Sequence, residues 1–327
     1  MHNFEYANPT TVKEAAELLT AADSSVLAGG TDLLSSMKDY IATPKRVINI
    51  KGIKELGGIA KTATGLRIGA TVTVDEIATN ALVKAMFPSL AVAAQGIASP
   101  QIRNMGTVGG DLCQRPRCWY FRQGYGLLGQ DKFGKQLVPI GENRYHAIFG
   151  GGPAYFVSPS SFGPALAALG AKVKMVSAQY GAREMDIAEF FVIPKNNISR
   201  EIALMPNEVL TEILIPAPPA GAKNATYEIR HREAIDWPLA TASVALTMKG
   251  TTVQSASIVL GHVAPAPWKS GAAEAAIAGK SITAESAEAA GAAAVADAKP
   301  LSQNGYKVQL AKVAVKRALL AAAGVKG

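Results

Sequence analysis

Two short glycine runs carry the most chemical information in this chain: Ala28-Gly29-Gly30-Thr31-Asp32 and Gly106-Thr107-Val108-Gly109-Gly110-Asp111. A diphosphate needs several backbone N–H donors around it and a main chain that can approach closely, which glycine allows. The first run sits between a strand-like and a helix-like stretch, and a helix N-terminus is a natural anion site. Thr31 and Thr107 add hydroxyl donors. Either run alone reads as a tight turn. Two of them, both with polar neighbours, point to a diphosphate-bearing ligand. Neither is a GxGxxG fingerprint or a P-loop, which argues against a Rossmann dehydrogenase and a P-loop NTPase.

Other chemistry is sparse. No GxSxG, no HExxH and no local His/Cys pairing is present, so no catalytic residue and no metal site is assigned. The two cysteines, Cys113 and Cys118, are too few for a disulfide framework or a four-cysteine zinc site. They read as apolar thiols, with a redox disulfide as the alternative. His146 and His262 read as packed, hydrogen-bonded residues.

The net charge of +8 comes from scattered Lys and Arg without a basic run, so nucleic-acid binding is not expected. It suits an anionic ligand or an acidic partner. The N-terminus lacks a signal peptide and no apolar run is long enough to span a membrane. The default location is cytoplasmic, with export alongside a signal-bearing partner left open.

These motifs need elements to hold them. At roughly 100–200 residues per domain, 327 residues predict two or three domains. Residues 24–30, 31–40 and 46–50 read as strand, helix and strand, a small parallel βαβ unit with the first glycine run at its turn. A helix through Leu19, capped by Thr10 or Thr11, precedes it. Residues 66–74 read as β-rich, a helix starts near Asp75, 87–99 is helical and 101–113 is a glycine-dense loop. Residues 118–156 keep neither period and read as a long loop, of the kind that is functional or wraps a partner. Residues 158–171 read as a capped helix, 209–216 as a strand and 216–223 as a Pro/Gly boundary. Three strands and then three Ala-rich helices (roughly 270–279, 283–297 and 303–323) follow, an α+β signature. The expected fold class is therefore α+β. Its domains are 1–222, with subdomains of about 1–56 and 57–222, and a C-terminal domain of 223–327 with an antiparallel sheet and a helical cluster.

LAGGTDLL (27–34) together with IRNMGTVGGDL (102–112) resembles the paired motif of the FAD-binding subunit of molybdenum hydroxylases, such as xanthine dehydrogenases, carbon monoxide dehydrogenases and aldehyde oxidoreductases. The resemblance continues through IGATVTVDEI (68–77), NEVLTEILIP (207–216) and IVLGHVAPAPW (258–268), and so covers the whole chain in order. CQRPRCWYFR (113–122) and NRYHAIFG (143–150) are most similar to three-subunit aldehyde oxidoreductases.

The resemblance implies a flavoprotein of the PCMH type that binds one FAD. One pyrophosphate loop would comprise Leu27, Ala28, Gly29, Gly30, Thr31, Asp32 and Leu33. The second would comprise Asn104, Thr107, Gly109, Gly110 and Asp111. Ser160 and Ser161 would lie near the FAD and Leu210 near its ring, with Arg230 and Arg232 close to the flavin edge or a partner. The ring would lie between the two N-terminal subdomains, its edge toward the C-terminal domain. The implied partners are a large subunit with a molybdenum cofactor and a small subunit with two iron–sulfur clusters. Electrons would pass from those clusters through FAD to a terminal acceptor.

This chain also departs from the pattern. Asp111 stands where Asn is common, Ser161 where Asp is, Glu228 where Lys is, and Tyr145 where some relatives have Cys. Those relatives hold a four-iron cluster through four cysteines in the long loop. With two cysteines, no iron–sulfur cluster is expected here. The competing readings are a free-standing flavin-dependent oxidase, which would need its own substrate pocket, and a non-redox nucleotide-binding protein, which would be colourless.

Overall fold

The structure is a computed structural model and describes residues 1–196, 199–231 and 236–325. The N-terminal unit is the expected βαβ arrangement with one strand more. β1 (Glu5–Ala7), α1 (Val12–Leu18), β2 (Ser24–Leu27), α2 (Leu33–Lys38) and β3 (Arg46–Asn49) form a parallel sheet of order β1-β3-β2. Thr11 caps α1 in a capping box with Glu14. Ala15, Leu19, Ile48, Ile53 and Leu56 are buried with Val209, which anchors this sheet on the next unit.

The middle unit is built on an antiparallel sheet. β4 (Ile59–Lys61), β5 (Gly65–Gly69), β6 (Lys172–Ser177), β7 (Gly181–Asp186) and β8 (Glu208–Pro216) pair in the order β4-β5-β8-β6-β7. Between β5 and β6 run α3 (Val74–Thr79), α4 (Ala81–Met86), α5 (Pro88–Gly96), α6 (Pro100–Met105), α7 (Val108–Cys113), α8 (Trp119–Arg122) and α9 (Phe162–Ala168), with α10 (Ile187–Phe190) after β7. Phe87, Leu90, Phe162 and Phe190 fill the core under the sheet. Fully burying each such side chain stabilises by roughly 1.5–3 kcal/mol.

The C-terminal unit has the expected order. β9 (Ala222–Ile229), β10 (Ala240–Lys249), β11 (Thr252–Gly261) and the short β12 (Trp268–Lys269) form an antiparallel sheet. α11 (Gly271–Ile277), α12 (Ala284–Ala294) and α13 (Tyr306–Ala323) cover one face with small side chains. α9 packs on β10 and β11, and α5 on β9, so the middle and C-terminal units share a buried seam.

The long loop is irregular beyond the single turn of α8, but it is tied down. Asn143 is fully buried and exchanges hydrogen bonds with Gln303, while Asn304 donates to the carbonyls of His146 and Ala147. Phe121 is core, whereas Phe133 is 84% exposed at the loop tip.

Candidate functional site

The first glycine run leaves β2 and turns into α2. The amides of Gly29, Gly30, Thr31 and Asp32 have no hydrogen-bond partner among the described residues. Gly30 takes φ +73, a left-handed value that glycine adopts without steric cost. This turn therefore presents a row of free N–H donors, which the anion argument requires.

The second run differs from the expected loop. Thr107 caps α7 and its Oγ1 accepts from Gly110 N, so Gly109 and Gly110 lie inside a short helix. The Gly109 amide is already spent: it donates to the Ala70 carbonyl at 2.9 Å. A Cβ there would stand 2.8 Å from that same oxygen. Gly109 is glycine because α7 presses on the end of β5, not because a ligand needs its backbone. The capping box of Thr73 with Glu76 and the bond from Val74 N to Gly106 O hold this stretch in place.

The two runs meet between two cavities. One, of about 390 Å3, is lined by Ala28, Gly29, Gly30, Leu33, Ala70, Gly109, Met205 and Leu210. The other, of about 220 Å3, is lined by Val74, Gly96, Ala98, Ile102, Asp111, Ser161 and Arg230. Thr31, Asp32, Thr107, Gly110 and Gln114 line both. A dinucleotide has this shape: two flat groups joined through a diphosphate. Free amides and two threonine hydroxyls stand at the junction, so the residues present fit FAD.

Three expected site residues are elsewhere. Leu27 lines neither cavity. Asn104 is exposed and its amide bonds the Pro100 carbonyl at 2.8 Å. Ser160 is buried, where its hydroxyl donates to Asp111 and accepts from Gly163 N at 2.9 Å. Leu210 is separated from Arg230: it lines the cavity that the C-terminal unit does not reach, while Arg230 lines the other. Arg232 lies outside the described residues.

The two carboxylates in the motifs serve the protein. Asp111 accepts from Ser160, from Phe162 N at 3.2 Å and from Gln114 Nε2 at 2.9 Å, bracing α9 against α7. Burial pushes its pKa up to about 6. Asp32 is not a side-chain cap of α2. It accepts from Arg117 Nη1 at 2.5 Å, Arg122 Nη2 at 2.8 Å and Arg115 N at 2.7 Å. Burial opposes its charge, but Arg117, the Arg115 amide and Arg122 outweigh burial, so its pKa is lowered. The start of the long loop is thus clasped onto the first glycine turn. Sequence reasoning missed Gln114, Arg115, Arg117 and Arg122. Four polar side chains directly after the second run were the available signal.

Arg230 donates to Glu228, and both are buried behind Gly96. Burial raises Glu228 to about 7 against the pull of Arg230. Glu228 Oε1 and Arg230 Nε have no hydrogen-bond partner among the described residues.

The two cysteines do not pair. Cys113 packs on the core of the middle unit, whereas Cys118 packs with Leu127, Leu128 and Phe156 in a separate cluster.

Comparison with known proteins identifies the family. Residues 2–218 match the family described as the FAD binding domain in molybdopterin dehydrogenase, and residues 225–322 match the CO dehydrogenase flavoprotein C-terminal domain. The chain is 32% identical over 316 residues to the aldehyde oxidoreductase FAD-binding subunit PaoB of Escherichia coli, covering 95% of this chain and 96% of that one. It is 32% identical over 325 residues to the carbon monoxide dehydrogenase medium chain of Hydrogenophaga pseudoflava, covering 98% and 96%. A solved structure of carbon monoxide dehydrogenase from Hydrogenophaga pseudoflava, lacking the Mo-pyranopterin moiety, superposes with a TM-score of 0.77 at 31% identity over 98% of this chain and 97% of that one. The chain belongs to the family of FAD-binding flavoproteins of molybdopterin dehydrogenases.

Proposed function

We propose that this chain is the FAD-binding, electron-transferring subunit of a molybdenum-containing hydroxylase of the aldehyde oxidoreductase type. The observation that carries this reading is the meeting of two cavities at Thr31, Thr107 and Gly110, beside a row of free amides. The amides of Gly29 to Asp32 would hold the diphosphate, with Thr31 and Thr107 donating through their hydroxyls. Ala28, Met205 and Leu210 line the larger cavity, which suits the adenosine. Val74, Gly96, Ala98, Ile102 and Arg230 line the smaller, which suits the flavin ring. When bound, FAD supplies the redox chemistry, and the protein supplies position, electrostatics and access. Arg230 and Glu228 stand where they can orient the ring's polar edge. The Asp32–Arg117–Arg122 clasp keeps the long loop over the junction and limits entry of water.

The proposed partners are a large subunit with a molybdenum cofactor and a small subunit with two iron–sulfur clusters, which deliver electrons for passage to a terminal acceptor. The exposed Phe133 and Ile140 of the long loop support a partner surface there. No iron–sulfur cluster is assigned to this chain. Cys118 packs on Leu127, Leu128 and Phe156 with His146 beside its sulfur, a set that falls short of the four ligands such a cluster needs. No described helix is long and apolar enough to cross a membrane. We place the assembly in the cytoplasm. The test is affinity purification of the tagged chain from its native cells. Co-purification of molybdenum and iron in partner chains, with flavin bleaching on addition of an aldehyde, is the expected result. A chain purified alone that oxidises a substrate by itself would overturn the subunit reading.

A further inference from the structure

The long loop and the C-terminal unit enclose another cavity, of about 370 Å3, which shares Arg117, Pro159, Asp236, Trp237 and Pro238 with the smaller of the two described above. Lys307 lines it and is 1% exposed. Its ammonium donates to the carbonyls of Tyr145 and His146, each at 3.2 Å, and of His262 at 2.6 Å. No carboxylate pairs with it among the described residues, and burial draws its pKa down to about 7.

His146 and His262 line the same cavity and are equally hidden. His146 Nε2 lies 3.1 Å from Cys118 Sγ, and His262 Nδ1 lies 3.0 Å from Thr241 Oγ1. The other nitrogen of each ring, His146 Nδ1 and His262 Nε2, has no hydrogen-bond partner among the described residues. The Asn143 carbonyl faces the His146 ring and the Pro159 carbonyl the His262 ring, each favouring the protonated form less than burial opposes it. Burial, and then the charge of Lys307, lowers His146 to about 4 and His262 to about 3. Both rings are therefore neutral near pH 7, and each retains one N–H. His262 also holds φ +61, an uncommon backbone for a side-chain-bearing residue. Such strain persists where the surroundings enforce it. Trp119 and Phe156 supply aromatic walls.

An uncompensated buried ammonium and two unpaired buried ring nitrogens are each unfavourable in a cavity without a ligand. A carboxylate resolves both, since it accepts from the imidazoles and offsets the charge; a neutral ligand satisfies only the ring nitrogens. We propose that this cavity binds a small aromatic carboxylate, its carboxylate between His146 and His262 beside Lys307 and its ring against Trp119 and Phe156. The proposal goes beyond the flavin reading and does not depend on it.

The test is calorimetric titration of benzoate into the full chain loaded with FAD, with benzyl alcohol as the neutral control. Saturable binding of benzoate, without loss of flavin absorbance and without binding of benzyl alcohol, is the expected result. His262→Asn, chosen because Asn tolerates a left-handed backbone, and Lys307→Met should each weaken benzoate roughly tenfold or more. Should Lys307→Met fail to fold, His262→Asn decides. No binding of benzoate in the millimolar range, equal binding of benzyl alcohol, wild-type affinity in His262→Asn, or displacement of FAD by benzoate would each overturn the proposal. Failure of the flavin reading would show separately, as a chain that takes up no FAD.

Discussion

A Cβ placed on Gly29 would stand 2.0 Å from the carbonyl oxygen of Met105. The two glycine runs therefore touch: the first turn lies directly on the end of α6, one residue before the second run starts. Glycine at position 29 sets the spacing of the site before any ligand arrives. Gly29→Ala must push the runs apart. The expected outcome is FAD affinity weakened about tenfold or more, on the order of 1.4 kcal/mol, with the far-ultraviolet circular dichroism retained. Equilibrium dialysis with FAD measures it.

Gly109 leads to a different expectation. Its amide and its missing side chain both serve contact with Ala70. Gly109→Val should lower thermal stability as well as flavin occupancy, since α7 must leave the end of β5; overpacking of this kind typically costs about 1–3 kcal/mol. Differential scanning fluorimetry of the apo chain separates the two effects. Unchanged stability with flavin lost would mean that Gly109 faces the ligand after all.

Asp32 holds two guanidinium groups and one amide, with its own side chain 14% exposed. Removing one partner of a buried ion pair costs about 3–5 kcal/mol, and the residual exposure places Asp32→Ala toward the lower end. The start of the long loop should become sensitive to limited proteolysis near Arg115–Arg122. A variant as stable and as resistant as the parent would refute the clasp.

Asp111 sets a pH dependence. Its pKa in the folded chain is about 6, above the value near 3.9 of an unfolded aspartate. Between these values the folded state binds more protons than the unfolded state, so stability falls as pH rises from about 4 to about 6 and is flat beyond. Asp111→Asn keeps an acceptor for Ser160 and Phe162 N but carries no charge. The variant should gain about 3 kcal/mol over the parent at pH 8 and little at pH 4, by urea unfolding of the apo proteins. An advantage independent of pH would contradict the assignment.

Burial raises Cys113 to about 12 and also raises Cys118. Reactivity follows the thiolate. Neither thiol of the folded chain should react with an aromatic disulfide reagent at pH 8, and both should react in urea. Supplying iron and sulfide to the apo chain should leave no bound iron.

Much of the site was legible because it rests on local chemistry. The turn from β2 into α2 was visible in glycine followed by threonine, and the α11, α12 and α13 helices in their alanine periodicity. What was not legible depends on contacts distant in sequence. Asp32 read as part of the glycine run, since nothing local shows that Arg115, Arg117 and Arg122 fold back onto it. The bracing role of Asp111 was hidden because Ser160 and Phe162 lie 49 and 51 residues away. Leu210 was placed beside the ring because its motif says nothing of which cavity β8 faces. Strand signals at 66–74 and 209–216 did not show their pairing: β6 and β7 form a hairpin and β8 pairs between β5 and β6. Pairing partners are fixed by tertiary packing, not by the alternation within one strand.

The central claim is that one FAD spans the two cavities across Thr31, Thr107 and Gly110. Its most direct test is the visible spectrum of the purified chain, with acid release and quantification of the cofactor. The account predicts flavin absorbance, released FAD near one per chain, and no iron. A colourless chain that also fails to take up added FAD would contradict it.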